Sequence, residues 1–224
     1  MFTSNYIKTS AAREFEQSRL QYSRQIFSKK EEDINSLIKE NEDAKALGKT
    51  RLNKEEAWQG LKWKAETPEK YIPVKESAII TGSRRNTEYG ETFIRLTIQP
   101  SFATGNLILV KEEIHIYENE KKIIFLGREV NFEEVKKYFQ QANENMLLEK
   151  PALFNVEHAV KGTEDEPIAT WQMVRRSDID PENNEEAQRI FRIKNLIDNV
   201  QGTEIYLQTI KQLSETNKCT LQNK

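Results

Sequence analysis

The stretch Phe93-Ile94-Arg95-Leu96-Thr97-Ile98 alternates apolar Ile94, Leu96 and Ile98 with Arg95 and Thr97. Successive side chains of a strand point to opposite faces, so this period of two predicts a strand with one apolar face. The face carrying Arg95 and Thr97 is then either wet or covered by a later element. The same period recurs downstream. Leu107, Leu109 and the apolar run 108–110 are followed by Ile114 and Ile116, which alternate with His115 and Tyr117, and then by the run Ile123-Ile124-Phe125-Leu126. Polar segments at 82–91, 100–106 and 118–122 supply the turns. Residues 71–126 therefore read as an antiparallel β-meander of four or five strands.

On either side the period becomes helical. Residues 10–47 read as one long helix. Ser10 is its expected N-cap, and Phe15, Leu20, Tyr22, Ile26, Phe27, Ile34, Leu37, Ile38 and Ala44 recur at steps of three, four and seven. No proline interrupts, and Leu47-Gly48 is a natural stop. Leu20, Phe27 and Ile34 keep a seven-residue spacing with Asn41 next, but Ser23 and Lys30 break the seam. The stripe thus suits packing on the body, on the C-terminal helices or on another subunit better than an isolated coiled coil. At 1.5 Å per residue such a helix would extend roughly 55 Å, more than a small domain is wide. Asn53 with Glu56 makes a capping box for a short helix over 53–66, ended by Pro68. A second box, Asn131 with Glu134, opens a helix that carries Phe132, Val135, Tyr138, Phe139, Ala142 and Met146 and ends before Pro151. That helix is the natural cover for the apolar face of the sheet.

Residues 154–156 and 168–174 read as two further strands around an acidic loop. Asp180 and Pro181 mark a helix start, with Ala187, Ile190, Phe191, Lys194, Ile197 and Val200 along its stripe. Gly202 breaks the pattern, Thr203 restarts it with Ile205, Leu207, Ile210 and Leu213, and the tail from Ser214 is expected to fray. The predicted class is α+β: an antiparallel β-meander covered by a helix, with a long N-terminal helical arm (1–68), a core (69–177) and a long helical C-terminal segment (178–224).

Composition narrows the function classes. The 224 residues carry 34 Lys and Arg against 36 Asp and Glu, a net charge of −2, so a basic duplex-binding surface is disfavoured. One cysteine, Cys219, forms no internal disulfide and suits a reducing compartment. The N-terminal residues lack the apolar core of a secretory signal and no run has the length of a membrane span, so the expected location is the cytoplasm. The helices mix Glu with Lys on their polar faces, which disfavours membrane contact.

Motifs for chemistry are sparse. The two histidines, His115 and His158, have no cysteine near them in sequence, which disfavours zinc. No nucleophile elbow, Walker loop or dinucleotide fingerprint occurs. Glu112, Glu113 and the Glu120-Lys121-Lys122 triplet give a weak pattern for a metal-dependent hydrolase. Two arginine pairs, Arg84-Arg85 and Arg175-Arg176, could form one anion or nucleic-acid site if they met in space, with Tyr89, Phe102 and Trp171 available to stack on bases.

The expected function is accordingly a non-enzymatic subunit or adaptor, without cofactor, metal or small-molecule substrate, that docks into a larger protein assembly or self-associates through its helices. Its contact residues would be Phe15, Tyr22, Ile26, Phe27, Ile34 and Leu37 of the arm, with Arg84, Arg85, Arg175 and Arg176. Removal of residues 1–48 would on this reading leave the sheet folded and abolish association.

Overall fold

A computed structural model describes residues 9–101, 104–148, 153–199 and 203–222. Strands β1 (Ile26–Asp33), β2 (Glu76–Ile79), β3 (Arg85–Thr87), β4 (Gly90–Pro100), β5 (Leu107–Tyr117), β6 (Lys122–Arg128), β7 (Leu153–Gly162) and β8 (Pro167–Arg176) form one sheet. All pairings are antiparallel and the order is β1-β8-β7-β6-β5-β4-β2, with β3 also lying on β4. The molecule is thus a mixed α and β fold with a large antiparallel sheet. It exceeds the predicted meander, because β4 to β8 continue the up-and-down run through residues 153–176 and the N-terminal β1 then pairs with β8, Phe27 opposite Met173.

The single helix expected over 10–47 does not form. Those residues make α1 (Ser10–Gln21), a 3-10 turn at Ser23–Gln25, β1, α2 (Ile34–Ile38) and α3 (Glu42–Ala46). The reason lies in short polar side chains that offer the backbone a competing partner. Asp33 accepts from the N–H groups of Asn35 and Ser36, Asn41 accepts from those of Asp43 and Ala44, and each starts a new helix. Thr9, rather than Ser10, caps α1 by accepting from Ala12 N–H at 3.2 Å. The remaining helices are α4 (Lys54–Glu66), α5 (Phe132–Val135), α6 (Asn145–Leu148), α7 (Asn184–Asn199) and α8 (Thr203–Gln222). The capping box at Asn53 and Glu56 forms as expected. Asn183, not Asp180, starts α7, its side chain accepting from Glu185 N–H. Helix α8 continues past Ser214 to Gln222, where fraying was expected.

Helices pack on both sides of the sheet. One face, here called inner, presents Phe93, Ile114, Ile116, Ile123, Phe125 and Val160 to Trp58, Leu61 and Ala65 of α4 and to Tyr206, Leu207 and Ile210 of α8. Farther along that face, Phe27 and Met173 meet Ile190 and Ile193 of α7. On the outer face, Ala11, Ala12 and Phe15 of α1 pack on Tyr117, Ile124, Leu126 and Val174. Val135, Phe139 and Met146 cover Leu96, Ile98 and Leu109, as the sequence implied, but from two short helices and the irregular chain between them rather than from one helix. Gly60 permits close contact between α4 and α8, since a Cβ there would sit 2.0 Å from Thr209 Oγ1. Among the described residues no helix is long and apolar enough to cross a membrane.

Candidate functional site

Arg95, on the face of Phe93-Ile98 that was expected to be wet or covered later, is only 3% exposed. Its cover is the end of α4. Its Nη1 donates to the carbonyls of Lys64 and Ala65 at 3.1 and 2.7 Å, and these are among the last four carbonyls of α4, which have no helical partner. Its Nη2 donates to Glu112 Oε2 at 2.5 Å across the β4–β5 pair. Arg95 therefore ties the C-terminal end of α4 to the inner face of the sheet.

That anchoring places Lys64. In α4 it shares the buried side with Ala57, Leu61 and Ala65. Its Nζ reaches His158 Nε2 of β7 at 2.9 Å. The ring of Phe125 lies beneath both cations, 5.8 Å from Lys64 Nζ and 5.4 Å from the Arg95 guanidinium carbon, at the distance of a cation–π contact. His158 stands edge-on to Phe125 at 5.8 Å and 6.3 Å from Trp171 of β8.

Burial decides the charge states. It brings the Lys64 amine down to about 7, with Arg95 adding to the effect and Glu112 opposing it. It also holds His158 well below the usual imidazole range, helped by Lys64 and Arg95. At neutral pH His158 is an uncharged imidazole, and its Nε2 shares a hydrogen bond with the Lys64 amine. The result is a near-neutral amine–imidazole pair inside the fold.

The pair borders an incompletely covered strip. Phe154, Val156 and His158 of β7 and Ala169 and Trp171 of β8 point to the inner face and are all half-buried. Strands β7 and β8 each have a hydrogen-bonded neighbour on both sides, so this exposure lies off the plane of the sheet. The strip runs between the core under α4 and α8 and the core under α7, and Val156 packs against both. An aromatic and aliphatic floor with a few convergent polar groups at one wall is the composition of a small-molecule site.

The residues proposed from sequence fall elsewhere. Phe15, Phe27 and Ile34 are 1%, 4% and 0% exposed in the cores described above. Tyr22, Ile26 and Leu37 are partly buried against them. The six arm residues expected to meet a partner are therefore engaged within the chain, with Leu20 of the stripe left 73% exposed, which overturns the adaptor reading. The arginine pairs do not meet, because β8 and β4 are four strand spacings apart, about 19 Å. Arg84 pairs with Glu66 and Glu91, and Arg85 is exposed at the start of β3. Arg175 is buried against Glu186 and Gln25, and Arg176 reaches the carbonyl of Gly127 and Glu14. Glu112 and Glu113 lie on opposite faces, the first on Arg95 and the second on Arg128 and His115, so no paired-carboxylate centre forms from them. Tyr89 packs beside the core under α1, Trp171 lies in the strip, and Phe102 falls outside the described residues.

Lys64 and His158 were missed as a pair, although a signal existed. Lys64 lies seven residues after Ala57 on the apolar stripe of its helix, and His158 continues the alternation of Phe154 and Val156. A lone cation and a lone imidazole on two buried faces are candidates to meet.

No protein-family model matches the chain and no curated protein sequence matches it. Solved structures of similar shape include TTHA0849 from Thermus thermophilus, at 9% identity and a TM-score of 0.45, covering 73% of this chain and 93% of that one. The Zhui aromatase/cyclase from a Streptomyces species is 10% identical at a TM-score of 0.44, covering 74% and 88%. Ara h 8.0201 is 11% identical at a TM-score of 0.44, covering 85% and 97%. These likenesses are in general shape. Beside them, the expectations of a docking subunit, of a flat absence of enzymatic activity and of no small-molecule substrate are withdrawn: the arm is internal, and the inner face offers an aromatic strip with an amine and an imidazole.

Proposed function

We propose that the protein binds a small, hydrophobic, planar molecule on the inner face of β7 and β8, between α7 and the α4–α8 pair, in the manner of a helix-grip fold. The observation that carries this reading is the half-buried strip Phe154, Val156, Ala169 and Trp171 on strands that both have neighbours in the sheet. Apolar surface left uncovered at that depth is stabilised by an apolar occupant. Trp171 supplies a flat stacking surface and the Lys64–His158 pair a polar end that orients the ligand. The single cysteine supports a cytoplasmic setting for this binding.

Titration with 1-anilinonaphthalene-8-sulfonate tests it. The folded protein is expected to bind one equivalent saturably, with quenching of tryptophan emission. Trp171→Ala and Val156→Glu should weaken binding about tenfold or more, equivalent to about 1.4 kcal/mol. Non-saturable binding, or affinity unchanged in both variants, contradicts the proposal.

A further inference from the structure

We propose that the Lys64 amine is a nucleophile that captures an aldehyde or ketone group of the bound molecule as an imine. The inference rests on the binding reading above and adds a chemical class to it. Three features of the geometry support it. The amine is held on a rigid element, the last turn of α4, which Arg95 fastens to the sheet through the carbonyls of Lys64 and Ala65. Its Nζ lies 2.9 Å from His158 Nε2, which puts an uncharged imidazole within reach of the protons that the reaction moves. His158 and Trp171 are half-buried members of the strip, so the amine lies one ring away from the proposed ligand surface.

The groups that face Lys64 come from four strands: Arg95 of β4, Glu112 of β5, Phe125 of β6 and His158 of β7. Glu112 is engaged by Arg95, so the amine lies against a carboxylate already neutralised and an imidazole that carries no charge. Such surroundings favour the free amine, and the titration of Lys64 near about 7 agrees with this. An ordinary lysine, titrating near 10.4, is almost entirely protonated and unreactive at pH 7.

The chemistry balances without an added oxidant or reductant. The Lys64 nitrogen forms a bond to the carbonyl carbon while the C=O π bond opens, giving a carbinolamine whose oxygen takes up a proton. The nitrogen gives up one proton to that oxygen here and a second in the next step, each relayed by the His158 imidazole without being kept, so that the oxygen departs as water. The carbinolamine C–O bond then breaks with loss of water, and C=N remains. Hydrolysis reverses the sequence, so the linkage stores or presents a carbonyl compound reversibly.

Reductive trapping tests it. The full chain is incubated at pH 7 with 2-naphthaldehyde and cyanoborohydride, digested, and its adducts mapped by mass spectrometry. The Lys64 peptide of the native protein should gain one naphthylmethyl group at least about tenfold faster than any other lysine peptide, a margin within the difference in free-amine fraction between these titration points. Lys64→Met, checked for fold by circular dichroism, should lose that fast adduct while the slower adducts at the other lysine peptides persist. Saturable binding of that probe with no preferential adduct at Lys64 in the native protein overturns the imine and leaves the binding site standing. Absence of both overturns the binding reading and this inference with it.

Discussion

Lys64, His158 and Glu113 all make the protein more stable as pH rises, each in its own window. Lys64 titrates near about 7 when folded, against 10.4 when free, so between these values the unfolded chain holds a proton that the folded chain has released. Stability therefore rises with pH across that window, by up to about 1.4 kcal/mol per pH unit, and Lys64 costs stability below it. Lys64→Met should raise the urea midpoint at pH 7 and flatten its dependence between pH 7 and 10; an unchanged slope would contradict the burial of the amine. His158 acts in the same direction at lower pH, since the unfolded chain takes a proton near 6.5 that the folded imidazole refuses. Glu113, brought down to about 2 by His115 and Arg128, contributes stability above about 4.5 that is lost as pH falls towards 2. Acid unfolding should accordingly begin below about pH 6.5 and steepen below about 4.5. Trp58 is fully buried and its Nε1 donates to Glu118 at 2.8 Å, so Trp58→Ala should cost about 3–5 kcal/mol in chemical denaturation. At this scale the core was more legible than the site. Leu96, Ile98, Ile114 and Ile116 are marked by alternation, whereas the meaning of Lys64 depends on His158, 94 residues away, which no local pattern connects.

Among elements, β1 shows where sequence reading fails. Its residues, IFSKKEED, carry few β-branched or aromatic side chains and mostly charged ones, as an edge strand that resists sheet-to-sheet association does. Phe27, Ile34 and Ile38 meanwhile fall at helical spacing by coincidence: Phe27 packs under α7, while Ile34 and Ile38 enter the core under α8. Only the caps at Asp33 and Asn41 separate the readings. The strand's partner, β8, was legible as the segment 168–174 following an acidic loop. Helix α7 is held by a different device. Glu186, 1% exposed, pairs with Arg175 of β8, which also donates to Gln25 at 2.9 Å. Glu186→Ala leaves a buried cation uncompensated and should cost about 3–5 kcal/mol, whereas the double replacement Arg175→Met with Glu186→Met should cost less than either change alone. Hydrogen exchange along 184–195 should quicken in Glu186→Ala. Full protection there would mean that apolar contacts of Ile190 and Ile193 hold the helix by themselves.

At the scale of the molecule, the N-terminal residues are structural. Removing residues 1–48 takes away α1, the edge strand β1 and the buried Phe15, Phe27, Ile34 and Ile38. The truncated chain should lose its cooperative thermal transition, contrary to the expectation that the sheet would survive alone. Extension of the sheet by the edge strand β1 and the burial of the sheet between two layers of helices could not be read from the period of any one segment, because both depend on which distant faces meet. The central claim is that the inner face of β7 and β8 receives a small hydrophobic ligand. Chemical-shift mapping during titration with a naphthalene ligand tests this most directly. Saturable perturbations are predicted at Val156, His158, Ala169 and the Trp171 indole, with Leu96, Ile98 and Leu109 on the outer face unmoved. Perturbations centred on the outer face, or none at saturating ligand, would contradict it.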